Sequence, residues 1–592
     1  MFLSVLMLLS FVGCGSADTG TNTTDTTTAA PETTTPPPVV KTIIADGKTD
    51  YTIIRGEEAS QSDIDQAIKL RAAIIDATGA EISLGTDWVK KGTEIPAAAL
   101  EIVIGDTNRP QTVEARTNTL RERDWGIFFS GDRVTITGGS DAATVEAVDY
   151  FIANCIDTAG KKLEFEENYS FINEYQYPLG NVTIDGVSLR EFVIVTPANP
   201  TRFEKYAALA INDYFQAQGG FTLATADDTA APAAHELLIG ATSRDASKKY
   251  DATTYGDMEY LLTAEGGSAV LRGQGYQIGG ALGALAALMQ SETAGADVAV
   301  TLPKDGKTAK FEFAKEAANA ILMIGDGMGE LQINLALSQS LDHFTARDFP
   351  NQGYAKTYSA SSSVTDSAAS GTALSSGYKT INRYLGINPK GETKQNIREL
   401  AASKGARTAV VTTDSLTGAT PAAFTVHVKD RDSSAEIKAQ QAELTDIQYL
   451  EGKMGDGLID SSRAALRTIA NGESDSFFIM IEEAYIDKHS HSNAGDDVVH
   501  TVKLLNEVTT YLSQFIFLHP DTALIVTADH ECGGIKQKSD GTFMFTSTNH
   551  TGVNVPVSAI GPGTEYFNGK DVNNIEIAKF MGKIWGEENL GG

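Results

Sequence analysis

The first half of the chain is written twice. DYTIIRGEEASQSDIDQAIKLRAAIIDATGAEISLGTD at 50–87 returns as EFVIVTPANPTRFEKYAALAINDYFQAQGGFTLATAD at 191–227. LEIVIGDTNRP (100–110) returns as HELLIGATSRD (235–245), and WGIFFSGDRVTITGGSDAATVEAVDYFI (125–152) returns as MEYLLTAEGGSAVLRGQGYQIGGALGALAAL (258–288). Three separated landmarks in one order constrain the fold more than any single match. By their periods of 2 and 3.6, each copy reads as strand, amphipathic helix, two strands, a strand pair and a helix. Residues 41–180 and 181–315 are therefore expected to be two copies of one α/β module. Of nine histidines only His235 lies before residue 316, which points to a spacer or surface-binding pair and away from catalysis.

Ahead of the repeat, residues 2–12 form an apolar run too short to span a bilayer as a mature helix, followed by small residues, the shape of a secretory signal. Phe11-Val12-Gly13-Cys14 resembles a bacterial lipobox, which would make residues 1–14 a lipoprotein signal and Cys14 the lipidated residue. Residues 15–40 are Thr/Pro-rich and lack the apolar side chains of a core, so they read as an extended tether. The expected location is the outer face of a bacterial cytoplasmic membrane, with the membrane met only through that anchor, or the periplasm or medium. With 47 basic against 77 acidic side chains the formal charge is −30, which argues against a nucleic-acid partner. A small phosphate stays open as substrate, because bound cations can reverse the local sign. Cys14, Cys155 and Cys532 fall in different segments, so no disulfide framework is expected.

From 319 the text changes. A buried strand, ILMI, ends in Gly325-Asp326-Gly327, and a second, ALIV (523–526), delivers Asp529 and His530 in TADHECGG. Ligands in α/β sheets sit at the carboxyl ends of strands, where these residues arrive. Between them stand VTDSAASGTA (364–373), GATPAAFTVHVKDR (418–431) and EEAYIDKHSH (482–491), and NHTG (549–552) follows. Asp, Glu and His occur here in the proportions of a multi-metal site. Asp487 and His491, spaced i, i+4, can face one ion from adjacent helical turns. Ser367 sits among small side chains at the start of a helix, which leaves room for a bulky anion.

This constellation resembles the alkaline phosphatase family, over about 319–570 and in family order. The resemblance implies a three-layer α/β catalytic domain (316–592) with a central, mostly parallel sheet, preceded by the two smaller α/β modules. It implies Ser367 as the nucleophile that becomes phosphoserine, and Arg431 as the fork that grips phosphate, with Lys488 a further substrate contact through water. It assigns Asp487, His491 and His550 to one Zn2+, Asp326, Asp529 and His530 to a second, and Asp326, Thr420 and Glu482 to Mg2+. Two ions about 4 Å apart would stabilise the attacking and leaving oxygens of an in-line displacement of a phosphate monoester.

The chain departs from the family at Gly418, where many members carry His or Asp, which puts the affinity of the third site in question. The intervals between motifs are short, so large insertions used for dimer contacts are absent and a monomer is favoured over a dimer. Cys532 is expected to be a small packing residue in preference to a metal ligand. The segment after Asp366 lacks the Pro and Arg of a sulfatase nucleophile. Two alternatives stay open: a two-metal phosphodiesterase, and a surface glycan-binding lipoprotein with a secondary phosphatase activity. The 41–315 repeats, which loosely resemble accessory domains of bacterial glycoside hydrolases, motivate the second.

Overall fold

A computed structural model describes residues 39–591 apart from 96 and 475. The signal-type segment with Cys14, and the Thr/Pro-rich stretch through residue 38, lie outside the described residues. Among the described residues no helix is long and apolar enough to cross a membrane. Cys155 and Cys532 are both free thiols.

The two copies of the repeat have matching six-stranded sheets. In the first the order is 83–86, 52–55, 101–104, 133–138, 125–130, 170–173; in the second it is 224–227, 193–196, 236–239, 268–273, 259–265, 308–310. The shared motif residues explain the match. Ser60 and Thr201 cap the first helix of each copy, and an acid three residues on reaches the IGxTxR loop. Asp63 accepts from the N–H of Asp106 (3.1 Å) and Glu204 from that of Ala241 (2.8 Å). The loop arginines turn back to their own strands, Arg109 to Glu101 at 2.8 Å and Arg244 to Glu236 at 2.9 Å. These arginines brace the loop and are already partnered.

The described chain divides into two compact units: residues up to Thr112 with Ile127–Ile136 and Ala147–Phe171, and the remainder, which holds the second copy together with the C-terminal half. Inside that second unit the helices Arg202–Gly219 and Gly279–Met289 pack on the long helix Gly495–Leu518, and one apolar core runs from Ile211 and Phe215 to Leu512 and Phe517. At its rim Asp213 accepts from Arg463 (2.7 Å), Arg467 (3.1 Å) and Tyr511 Oη (3.0 Å). Each removes a donor from water only by pairing it, the condition for burying such groups.

The catalytic half is built on eight strands: β1 (Asn319–Gly325), β2 (Asn351–Lys356), β3 (Arg407–Thr412), β4 (Tyr449–Gly452), β5 (Phe477–Glu483), β6 (Thr522–Thr527), β7 (Val555–Ile560) and β8 (Asp571–Asn573). Their order is β4-β3-β5-β1-β6-β7-β2-β8. Only β7 runs against its neighbours, so the sheet is mostly parallel, as expected. Every residue of β1, β5 and β6 is buried, which accounts for their unbroken apolar runs and requires cover on both faces. The helices Leu458–Ile469 and Gly495–Leu518 form one set, and Ser367–Ser376, Ile397–Ser403 and Ile575–Ile584 form another. The result is a three-layer α/β arrangement with β1 at its centre.

Candidate active site

Four adjacent parallel strands, β3, β5, β1 and β6, end side by side, with Thr412 opposite Glu482 and Ile324 opposite both Glu482 and Thr527. The residues just past those ends form the site. Asp326 leaves β1, Asp529 and His530 leave β6, Glu482 is the next-to-last residue of β5, and the helix Tyr485–His491 that follows β5 carries Asp487 and His491. Gly327 makes the turn after Asp326 with φ +74°, and a Cβ there would stand 2.7 Å from Asp487 Cα. Glycine is needed on both counts. Its N–H donates to Asp529 Oδ1 at 3.2 Å, tying two strand ends together.

The ligand atoms gather in two groups, each with all members within 4.8 Å of one another: Asp487, His491, Cys532 and His550, and Asp326, Asp529 and His530. In the first, the Nδ1 atoms of His491 and His550 face the carbonyl oxygens of Thr548 (2.6 Å) and Thr365 (3.0 Å) and so donate. Their Nε2 lone pairs are then turned on each other at 3.1 Å and on Asp487, at 3.2 and 3.3 Å. Converging lone pairs and a carboxylate are a cation's coordination shell. In the second group His530 Nε2 lies 3.2 Å from Asp529 Oδ2 and 3.5 Å from Asp326 Oδ1. Asp326 Oδ1, Asp487 Oδ1, Asp529 Oδ2 and Thr420 Oγ1 are buried without a hydrogen bond.

The electrostatics say the same. Burial and the neighbouring Asp529, Asp487 and Glu482 hold the Asp326 carboxyl well above its ordinary range. Burial pushes Glu482 up to about 8, against the pull of the Thr412 and Thr420 hydroxyls, and Asp529 up to about 6. Burial also keeps His530 neutral, its pKa well below the usual value. Asp487 alone is held well below the carboxylate range: burial opposes its charge, but His491 and His550 favour it. Its bond to His491 raises that imidazole to about 9, so a cation taking the Nε2 lone pair has a proton to displace there. Buried acids with so little compensating charge fit a site made for divalent cations.

Ser367 opens the ten-residue helix Ser367–Ser376, and Asp366 caps it, accepting from the N–H of Ala369 at 3.0 Å. Ser367 Oγ lies 3.2 Å from His530 Nε2, beside the second group. Helix N–H groups and dipole therefore face the place where a phosphoryl group would meet Ser367. Arg431 rests with Nη1 3.4 Å from the other oxygen of Asp366, which also takes the N–H of Arg383 at 2.9 Å. His491, Arg431 and Lys488 are the partly exposed members, so the site opens on their side.

All of Asp326, Ser367, Thr420, Arg431, Glu482, Asp487, Lys488, His491, Asp529, His530 and His550 thus lie around the ends of these strands. Three contributors were not named as site residues from sequence. Asp366 both caps the helix and holds Arg431. Asp414 receives Lys488 Nζ at 2.5 Å. Cys532, expected only to pack, is fully buried as packing requires, yet β-pairing with His550 brings its sulfur into the first ligand group beside Asp487. Its spacing of two from His530 was the available signal.

A family model described as alkaline phosphatase matches residues 317–454 and 450–547. Alkaline phosphatase 4 of Drosophila melanogaster is 38% identical over 149 residues, which is 22% of this chain and a quarter (25%) of that protein. Alkaline phosphatase 4 of Bacillus subtilis is 25% identical over 444 residues, 51% of this chain and 95% of that protein. The structure of alkaline phosphatase from the Antarctic bacterium TAB5 shares 27% identity, covering 46% of this chain and all of that one, with a TM-score of 0.43.

Proposed function

Because residues 317–547 belong to the alkaline phosphatase family, we propose that this protein hydrolyses phosphate monoesters through a phosphoserine at Ser367 and releases inorganic phosphate outside the cytoplasm. The observation that carries the reading is Ser367 Oγ at a helix N-terminus, 3.2 Å from His530 Nε2, with the two ligand groups and Arg431 around it. Asp487, His491 and His550 would hold one Zn2+, Asp326, Asp529 and His530 the other, and Asp326, Thr420 and Glu482 a Mg2+. Bound there, the cations supply charge neutralisation for the phosphoryl oxygens and lower the pKa of a hydroxyl or water beside them.

The chain's own groups do the rest. The guanidinium of Arg431 presents two parallel N–H donors to two phosphoryl oxygens, which a monoester leaves free and a diester partly masks. Asp366 sets the direction of that fork. The first N–H groups of the helix neutralise part of the charge that grows as Ser367 Oγ bonds to phosphorus. As that bond forms the Ser367 hydroxyl gives up its proton to solvent, the bond to the ester oxygen breaks, and that oxygen leaves as an alcohol after taking a proton from water. A second water then attacks phosphorus from the vacated side, the bond to Ser367 Oγ breaks, and one proton of that water restores the Ser367 hydroxyl. The anchoring of the protein through Cys14 to the outer face of a cytoplasmic membrane belongs to the same proposal.

Hydrolysis of an aryl phosphate by the full chain, with zinc and magnesium supplied, tests this beside Ser367→Ala and an aryl phosphodiester. Monoester turnover that needs metal and falls at least a thousandfold in Ser367→Ala is expected. Preference for the diester would overturn the substrate class, and turnover by Ser367→Ala at the parent rate would overturn the nucleophile.

A further inference from the structure

Gly418 caps the short helix Ala419–Ala423 that carries Thr420, and it has no side chain to offer the oxygen site at Thr420 and Glu482. The space it leaves is filled from elsewhere. A Cβ on Gly418 would stand 2.4 Å from Asp414 Oδ2, so the Asp414 carboxylate lies where a side chain from position 418 would begin. Asp414 follows β3, whose last residue, Thr412, pairs with Glu482 across the sheet. The Asp414 N–H donates to Thr412 Oγ1 at 2.9 Å, and that same hydroxyl donates to Glu482 Oε2.

The two oxygens of Asp414 have different employment. Oδ1 accepts from the Ser415 N–H (2.8 Å) and from Lys488 Nζ (2.5 Å). Among the described residues Oδ2 accepts no hydrogen bond. Thr420, two residues on from Gly418, is 1% exposed, and its Oγ1 has no hydrogen-bond partner at ordinary geometry. Asp414 and Glu482 are linked through the Thr412 hydroxyl, and the buried Thr420 hydroxyl sits on the helix that Gly418 caps, so three neighbouring segments offer the oxygen groups a hard cation prefers.

We infer that Asp414 supplies from four residues upstream the carboxylate that Gly418 cannot, Oδ2 serving the Thr420–Glu482 site for Mg2+ while Oδ1 aims Lys488. The inference rests on the metal reading proposed above, and its test separates the two. The full chain is stripped of metal, reloaded with zinc, and titrated with Mg2+ while its melting temperature is followed; bound magnesium is then counted by elemental analysis. Asp414→Asn is expected to raise the half-saturating Mg2+ concentration at least tenfold with zinc content unchanged, and Glu482→Gln to remove the response.

If Glu482→Gln loses the response but Asp414→Asn titrates like the parent, Asp414 is overturned and the third site stands. If both titrate like the parent, the site itself is misassigned and the inference falls with it. A second pair tests the shared space. Gly418→Asp should lower the melting temperature in the parent and be accepted in an Asp414→Ala background, with Mg2+ affinity returning to within about threefold. Equal melting temperatures for Gly418→Asp in both backgrounds would overturn the claim that Asp414 fills that place.

Discussion

Gly283 sits in the middle of the helix Gly279–Met289, buried against the helix Gly495–Leu518. Helix propensity alone says that Gly283→Ala should stabilise the protein by about 1 kcal/mol. In place, the new methyl would stand 2.3 Å from the carbonyl oxygen of Phe517 and 2.6 Å from the Phe311 ring. The oxygen belongs to backbone and cannot turn aside, so the two helices must part by roughly 1 Å to restore ordinary contact. Overpacking of this kind costs roughly 1–3 kcal/mol, and a rigid neighbour puts it near the upper end. The net expectation is a loss of about 2 kcal/mol. For a cooperative unit of several hundred residues, an unfolding entropy of about 2 cal/mol/K per residue turns that into a fall of about 2 °C in melting temperature. Leu288→Ala, on an exposed face of the same helix, is the control and should change stability by less than about 0.5 kcal/mol. A rise in melting temperature for Gly283→Ala would refute the packing. So would two separate transitions of which the variant moves only one, because the second module and the catalytic half would then not share a core.

Asp366→Ala should lower stability by about 1 kcal/mol through the lost cap and, by freeing Arg431, raise KM for an aryl phosphate; differential scanning fluorimetry and steady-state kinetics read the two effects. His427 has both ring nitrogens on acceptors, Gly386 O at 2.7 Å and Glu399 Oε1 at 2.8 Å. Burial opposes its charge, but Glu399 raises its pKa above 6.5, and Glu399 in turn is lowered below 4.5 despite its own burial. The His427 contribution is full below 6.5 and lost as pH rises through its folded value; that of Glu399 is full above 4.5 and lost as pH falls through its folded value. His427→Gln should therefore lower the melting temperature more near pH 5.5 than near pH 9. Chelation should also be pH-dependent. Glu482 at about 8 and Asp529 at about 6 are raised acids, so the stripped protein should lose stability as pH rises through those values. Melting curves of loaded and chelated protein should diverge between about pH 4 and pH 8, the span from the ordinary to the raised values, and parallel curves would contradict the assignment.

The catalytic half was legible because its signals are local. An apolar run followed by Asp, as in ILMIGDG and ALIVTADH, names both a buried strand and the residue delivered at its end, and the family motifs supplied the partners. The repeat was legible for a similar reason, since its landmarks recur in order. Its IGxTxR arginine was not: only the structure shows Arg109 and Arg244 committed to Glu101 and Glu236. Asp414 was hidden because its relevance depends on the vacancy at Gly418, a relation that exists once the chain folds back. Cys532 was hidden because its cross-strand neighbour His550 lies in a separate motif. The glycines of GGALGALAAL looked like ordinary small residues until Phe517, far along the chain, was seen pressed against them.

The place of β2 in the sheet bears on how the protein is made. Its two neighbours are β7 on one edge and β8 on the other, both near the end of the chain. At about 5–20 residues per second, a ribosome needs on the order of 10–40 s to produce the intervening segment. For that time residues 351–356 have neither partner, and His550 has not been added to the ligand set. Until then the ligand set is incomplete and the nascent chain carries an unsatisfied strand edge, open to pairing with another chain if it is left uncovered.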